Sequence, residues 1–228
     1  MIKDFTRYEK NTEAFSREEV YALHEKAACI VGCGGLGGYV IQTLARFGIG
    51  NLTLVDGDVF CETNLNRQLF STEENLGRNK ALCAKEAIGI INSDAAVNAV
   101  EEMLTEENAR GMISGHDVVI DCLDNISSRL ILEDACQEEN IPLVHGAIGG
   151  FGGQVSVIFP GDRTLHMLYG SKESGPQTQG NPPFTPHLVS ALQCSEAIKL
   201  LAGRGEILRG KLLFIDLYQN AFDIIALK

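Results

Sequence analysis

The sequence predicts an α/β fold: a parallel sheet continued by antiparallel strands into one mixed sheet, with helices on both faces. Three observations carry this. Short apolar runs alternate with helical patterns between residues 27 and 146, the pattern of βαβ units. A glycine cluster, Gly32 to Gly37, stands between the first apolar run and the first helical pattern. After Gly146 the pattern changes to a half-buried alternation, Gln154-Val155-Ser156-Val157-Ile158-Phe159, and two closing strands.

In order, residues 1–26 read as an N-terminal amphipathic helical arm. Ala27 to Val31 is a buried strand, and Tyr39 to Phe47 carries a helical period. Asn51 to Asp56 reads as a second strand, followed by a helix over about 78–92, a strand over about 96–101 and a short helix over about 106–113. His116 to Cys122 is another buried strand, about 126–138 a helix, and Pro142 to Gly146 closes the series. Residues 27–146 are thus a Rossmann-like nucleotide-binding half. Residues 147–228 form a mixed-sheet half with a polar crossover loop, 170–185. Pro186 suits the first turn of a helix running to about Ala202. Lys211 to Asp216 and Phe222 to Leu227 read as antiparallel closing strands.

Composition narrows the class. The chain has 228 residues, 45% hydrophobic and 21% charged, which suits a folded soluble protein. No apolar run reaches the ~18 to 20 residues of a membrane span, and the N-terminus has no secretory pattern, so the expected location is cytoplasmic. A net charge of -11 disfavours nucleic-acid binding. Seven cysteines without a CxxC pair read as reduced, mostly buried thiols, and no zinc is expected.

Gly32-Cys33-Gly34-Gly35-Leu36-Gly37 matches G-x-G-x-x-G after a strand and before a helix. Glycines there permit the turn and a close approach of phosphate, and the helix N-terminus offers free N–H groups. Asp56 ends the second strand 19 residues after Gly37, where a carboxylate can accept from ribose hydroxyls. The alternative is a plain glycine turn beside a solvated acid. Arg67 and Lys80 follow; together they suit a triphosphate, and either alone is also compatible with a surface charge. Asp121 and Asp124 end the strand before the helix at 126. Asp121 suits a structural role in the strand. Asp124 suits either Mg²⁺, which takes one or two carboxylates with phosphate oxygens, or the helix cap. Gly146, Gly149, Gly150, Gly152 and Gly153 suit either a channel for a threaded peptide tail or an irregular turn. His145 and His187, near element ends, are open to a catalytic or a structural role.

The chain resembles the ThiF/MoeB/HesA family, bacterial relatives of ubiquitin-activating enzymes. Arg7-Tyr8, the glycine motif, Gly48 to Asp56, Asn64-Leu65-Asn66-Arg67-Gln68, Gly77 with Lys80, Asp121 to Asn125, Gly153-Gln154, and Leu192-Gln193 through Lys199 carry the likeness in order. The resemblance implies a homodimer that binds Mg-ATP and adenylates the C-terminal glycine of a small ubiquitin-like sulfur carrier ending in Gly-Gly, in a thiamine, molybdopterin or related pathway. It implies Gly32, Gly34, Gly35 and Gly37 at the phosphates, Asp56 on the ribose, Asn64, Arg67, Gln68 and Lys80 along the triphosphate, and Asp124 on Mg²⁺.

Three departures follow from the same comparison. Lys10 stands where the family places an arginine reaching into the partner subunit's ATP site, and lysine lacks the bidentate fork. The position of the first zinc-binding CxxC is His166 to Tyr169. The crossover segment Ser171 to Pro186 has no cysteine, and Cys194 reads as core, so a covalent carrier thioester is not expected. Two other functions stay open: an ATP-dependent tRNA-modification dehydratase of the same superfamily, and a catalytically silent binding subunit. An NAD-dependent oxidoreductase is more remote.

Overall fold

The computed structural model describes residues 2–170 and 180–227. Eight strands form one sheet in the order β3-β2-β1-β4-β5-β6-β7-β8. They are β1 (Ala27–Val31), β2 (Asn51–Val55), β3 (Ala96–Val100), β4 (Val118–Asp121), β5 (Leu143–Gly149), β6 (Gly152–Ile158), β7 (Lys211–Asp216) and β8 (Ala221–Ala226). Pairing is parallel from β3 through β5 and antiparallel from β5 through β8, as the sequence predicts. The helices are α1 (Arg17–His24), α2 (Gly37–Phe47), α3 (Lys80–Ile91), α4 (Ala109–Ile113), α5 (Ile126–Glu139), α6 (Thr164–Tyr169) and α7 (Phe184–Ala202).

The strands sort their side chains with period two into two cores. Ala28, Ile30, Leu52, Leu54, Val118 and Ile120 face α2, α3 and α7, whereas Cys29, Val31, Val55 and Val119 face α4, α5 and α6. Burial on both faces explains why these strands read as continuous apolar runs. Each fully buried Ile or Leu contributes about 1.5–3 kcal/mol by leaving water. Among the described residues no helix is long and apolar enough to cross a membrane.

Several expectations are refined. The arm expected over residues 1–26 is a 3-10 helix, Phe5–Asn11, followed by α1. Asn11 Nδ2 donates to the Phe47 carbonyl, and Ser16 with Glu19 starts α1 by a capping box, so one continuous helix is interrupted. The arm packs inward: Tyr8 is buried, and its hydroxyl accepts from Asn92 Nδ2 at 2.8 Å. Helix α7 begins at Phe184, two residues before Pro186. The stretch Gly146 to Gly153 is a regular hairpin, paired from Leu143↔Ile158 to Gly149↔Gly152, rather than an irregular turn. Two of its glycines admit α7: a Cβ on Gly146 would lie 2.3 Å from Gln193 Cδ, and one on Gly153 would lie 2.4 Å from Val189 Cγ2. Helix α6 was not expected. It has no side-chain cap of its own and begins after Arg163 at φ 52°. The buried Glu133 carboxylate accepts its Leu165 and His166 N–H groups instead. Of the predicted crossover loop, residues 171–179 lie outside the described residues.

Candidate active site

The strand order turns at β1, which has β2 on one side and β4 on the other. Beyond the carboxyl ends of these strands, where ligands enter open α/β sheets, lies a cleft of about 1050 Å³ including its mouth. Gly32, Gly34, Gly35, Asp56, Asp58, Arg67, Gln68, Lys80, Asp124, Arg129 and Asn181 all line it.

Glycine is required at two positions of the loop. Gly32 has φ +96°, and a Cβ there would lie 2.6 Å from the Cys122 carbonyl oxygen. A Cβ on Gly37 would lie 1.8 Å from the Gly32 oxygen, so Gly37 shapes the loop from beneath; it is not among the lining residues. Helix α2 starts without a side-chain cap; its Gly38 and Tyr39 N–H groups turn back onto the Gly34 and Leu36 carbonyls, each at 3.1 Å. The Asp56 carboxylate accepts from Cys33 N–H and Asp58 N–H, each at 2.8 Å. Burial raises its pKa against the lowering pull of those two bonds.

The cations come from the loop between β2 and α3 and from the start of α3. Arg67 lies beside Gly35, its Cδ 3.8 Å from where a Cβ would stand, and its Nη1 donates to the Thr63 carbonyl at 2.9 Å and to Asn66 Oδ1 at 2.8 Å. Lys80 is buried along its stem, and its Nζ meets Asp58 Oδ2 at 3.0 Å. Asn64, also buried, ties this loop through its Oδ1, which accepts from Cys61 N–H at 3.1 Å, but it is not among the lining residues. Gln68 Oε1 is buried beside Gly34 without a hydrogen-bond partner among the described residues.

Across the cleft, Asn125 rather than Asp124 caps α5, accepting from Ser128 N–H at 2.9 Å. Among the described residues no group of three or more His, Cys, Asp or Glu side chains could hold a metal unaided. One carboxylate at Asp124 on the cleft wall suits a hard cation that takes most of its oxygens from a bound phosphate ligand and water. Lys10 is exposed on the 3-10 helix, outside the lining residues. Cys33, within the glycine loop, and Cys122, beside it, are buried thiols pushed well up by desolvation, which disfavours nucleophilic use.

Sequence reasoning missed Asp58, which holds Lys80, and Glu102-Met103-Leu104 after β3, which line the same cleft. It also missed Arg129 and the bonding of His145. His145 is fully buried within β5 and donates from Nδ1 to Asp121 Oδ2 at 2.6 Å. His187 lies in the first turn of α7, its ring tilted 40° against that of Tyr39 with centroids 3.7 Å apart. The one local signal for Arg129 was its place five residues after Asp124, in the first turn and a half of the helix that follows.

A family model described as the ThiF family matches residues 8–228. Among curated proteins, the chain is 38% identical over 201 residues to the SAMP-activating enzyme E1 of Haloferax volcanii, covering 86% of this chain and 74% of that protein. It is 36% identical over 200 residues to the molybdopterin-synthase adenylyltransferase of Escherichia coli, covering 86% and 80%. Among solved structures, it resembles the E. coli tRNA N6-threonylcarbamoyladenosine dehydratase TcdA in complex with AMP, with a TM-score of 0.75 and 25% identity over 87% of this chain and 95% of that one.

Proposed function

Because this chain belongs to the ThiF family, we propose that it is an ATP-dependent adenylyltransferase activating the C-terminal glycine carboxylate of a small ubiquitin-like sulfur-carrier protein. The curated relatives named for adenylyl transfer and for SAMP activation support this reading. The observation that carries it is the convergence of the Gly32–Gly35 loop, Asp56, Arg67, Lys80 and Asp124 on one cleft. A dinucleotide oxidoreductase has no need of the two cations.

In this reading Asp56 accepts from the ribose hydroxyls, while the amides of Gly34 and Gly35 approach the phosphates. Arg67 and Lys80 offset charge on the triphosphate, Lys80 exchanging Asp58 for phosphate oxygen. Bound Mg²⁺, held from Asp124, supplies further charge neutralisation on the leaving pyrophosphate. The carrier carboxylate attacks the α-phosphorus in line. An O–P bond forms, the bond to the β-phosphate bridging oxygen breaks, and its electron pair leaves with pyrophosphate. Positioning and charge stabilisation supply the rate, and no protein nucleophile takes part. A homodimer belongs to the same proposal, with Lys10 as the charge offered to the partner's cleft, and so does a cytoplasmic location.

ATP–pyrophosphate exchange tests the reading. Exchange that appears only with a small protein ending in Gly-Gly is the expected result. Turnover dependent on tRNA instead would favour the dehydratase reading that the likeness to TcdA keeps in view. Absence of both exchange and ATP binding would overturn the enzymatic account.

A further inference from the structure

The residue just before Asp124 is held on both of its peptide groups. Leu123 N–H donates to Asp121 Oδ1 at 2.9 Å, and the Leu123 carbonyl accepts from Arg129 Nη2 at 2.6 Å. Arg129 is 8% exposed, a cation withdrawn from water. Its Nε lies 3.6 Å from Asp121 Oδ2 and has no hydrogen-bond partner among the described residues, so charge rather than a full set of bonds compensates it. A buried ion pair of this quality contributes little to net stability.

Arg129 is itself held from the far side. Its Nη1 donates to the Tyr169 hydroxyl at 3.4 Å, and its guanidinium carbon lies 5.8 Å from the Tyr169 ring centroid. The Tyr169 hydroxyl also accepts from Gln154 Nε2 at 2.6 Å, and the same amide donates to His145 Nε2 at 3.0 Å. His145 Nδ1–H returns to Asp121. A single tautomer, neutral His145 protonated at Nδ1, satisfies both ring nitrogens. The circuit runs from β4 through β5, β6, α6 and α5 back to Leu123, joining residues far apart in the chain.

We propose that Arg129 is a positioning residue for Asp124: by holding the Leu123 carbonyl it sets the backbone from which Asp124 enters the cleft, and the Tyr169–Gln154–His145 chain keeps Arg129 in place. The role of Asp124 as the magnesium-side acid rests on the function proposed above. The clamp itself does not.

The test uses Arg129→Gln and the milder Tyr169→Phe in the full chain, each with two readouts. Amide hydrogen exchange at Leu123, measured without nucleotide, reads the clamp. It is expected to quicken about 10-fold in Arg129→Gln, the factor of one ordinary hydrogen bond, and about 3-fold in Tyr169→Phe. Calorimetric titration with ATP in chelator and with Mg-ATP reads the consequence. The preference for Mg-ATP, read as the ratio of its affinity to that of metal-free ATP, is expected to fall about 10-fold in Arg129→Gln, as removal of a ligand's supporting partner does. If Arg129→Gln does not fold, Tyr169→Phe, which keeps the guanidinium, carries both readouts. Wild-type exchange at Leu123 in the folded variants would overturn the clamp. Faster exchange with an undiminished Mg-ATP preference would overturn its link to Asp124. A wild-type protein that binds no ATP would sink the proposed function and the link to Asp124 with it, while the exchange readout still decides the clamp.

Discussion

Asp56 holds the glycine loop as well as facing the cleft: its Oδ2 accepts the Cys33 N–H at 2.8 Å while its Oδ1 accepts the Asp58 N–H at the same distance. Replacing it by Asn leaves one acceptor for two donors and turns an NH₂ toward a backbone N–H. Asp56→Asn is expected to lose about 1–3 kcal/mol of stability at neutral pH. Burial raises the Asp56 pKa, so the folded state favours its neutral form. The stability it contributes is therefore fully present below the ordinary Asp range and declines as pH rises through the raised value. The gap between wild type and Asp56→Asn should accordingly be wider near pH ~4 than near pH ~7. Urea unfolding of both proteins at the two values checks this, and a gap that widens with pH would refute it.

Two loop glycines separate fold from binding. A Cβ on Gly37 would stand 1.8 Å from the Gly32 oxygen, so Gly37→Ala must displace backbone. A loss of about 3 kcal/mol or more is expected, on the order of 10 °C in Tm. A Cβ on Gly35 meets nothing nearer than 3.8 Å, so Gly35→Ala should keep Tm within about 2 °C. It adds bulk where a phosphate approaches, and ATP affinity is expected to fall about 10-fold or more. Thermal melts and calorimetry distinguish the two outcomes. Equal Tm losses would show that both glycines serve the fold alone.

The loop and Asp56 were legible in the sequence because their geometry is local. A strand, a tight turn and a helix start follow one another, and the acid comes at the end of the next strand. The Asp121–His145–Tyr169–Arg129 circuit was not legible because its members meet only after β4, β5 and β6 pair side by side. The cap of α5 was ambiguous for another reason: Asp124 and Asn125 are both cap formers, and backbone angles decide between them. Asn125 takes the extended conformation, φ -127° and ψ 150°, that a cap needs. Helix α6 escaped notice because its capping carboxylate comes from Glu133, a distant residue.

Lys80 and Asp58 predict a division between stability and rate. The Lys80 side chain is 10% exposed, whereas that of Asp58 is 61% exposed and stays hydrated when its partner is removed. A pair with one member in water contributes about 1 kcal/mol or less. Lys80→Met, which keeps the buried stem, should therefore fold with nearly unchanged Tm. A donor aimed at charge developing on phosphate contributes on the order of 100- to 1000-fold in rate, so kcat should fall by that factor. Steady-state kinetics beside a melt checks both; a large drop in Tm with little change in kcat would make Lys80 a structural residue.

The cysteines give the final prediction. Six of the seven are buried, and Cys61 alone is exposed. Burial pushes the Cys29 and Cys194 thiols up to about 12, and those of Cys33, Cys83, Cys122 and Cys136 are raised as well. The Thr63 side chain, 3.2 Å from Cys61 Sγ, lowers the Cys61 pKa. Thiolate is the reactive form, so a thiol reagent at neutral pH should modify one equivalent rapidly, and mass spectrometry should place it on Cys61. The other six should react only on unfolding. Cys61 is not among the residues lining the cleft, so Cys61→Ser should retain adenylation. The carrier should leave as its acyl-adenylate; a carrier adduct that survives denaturation and is released by added thiol would show that one of these cysteines enters the reaction after all.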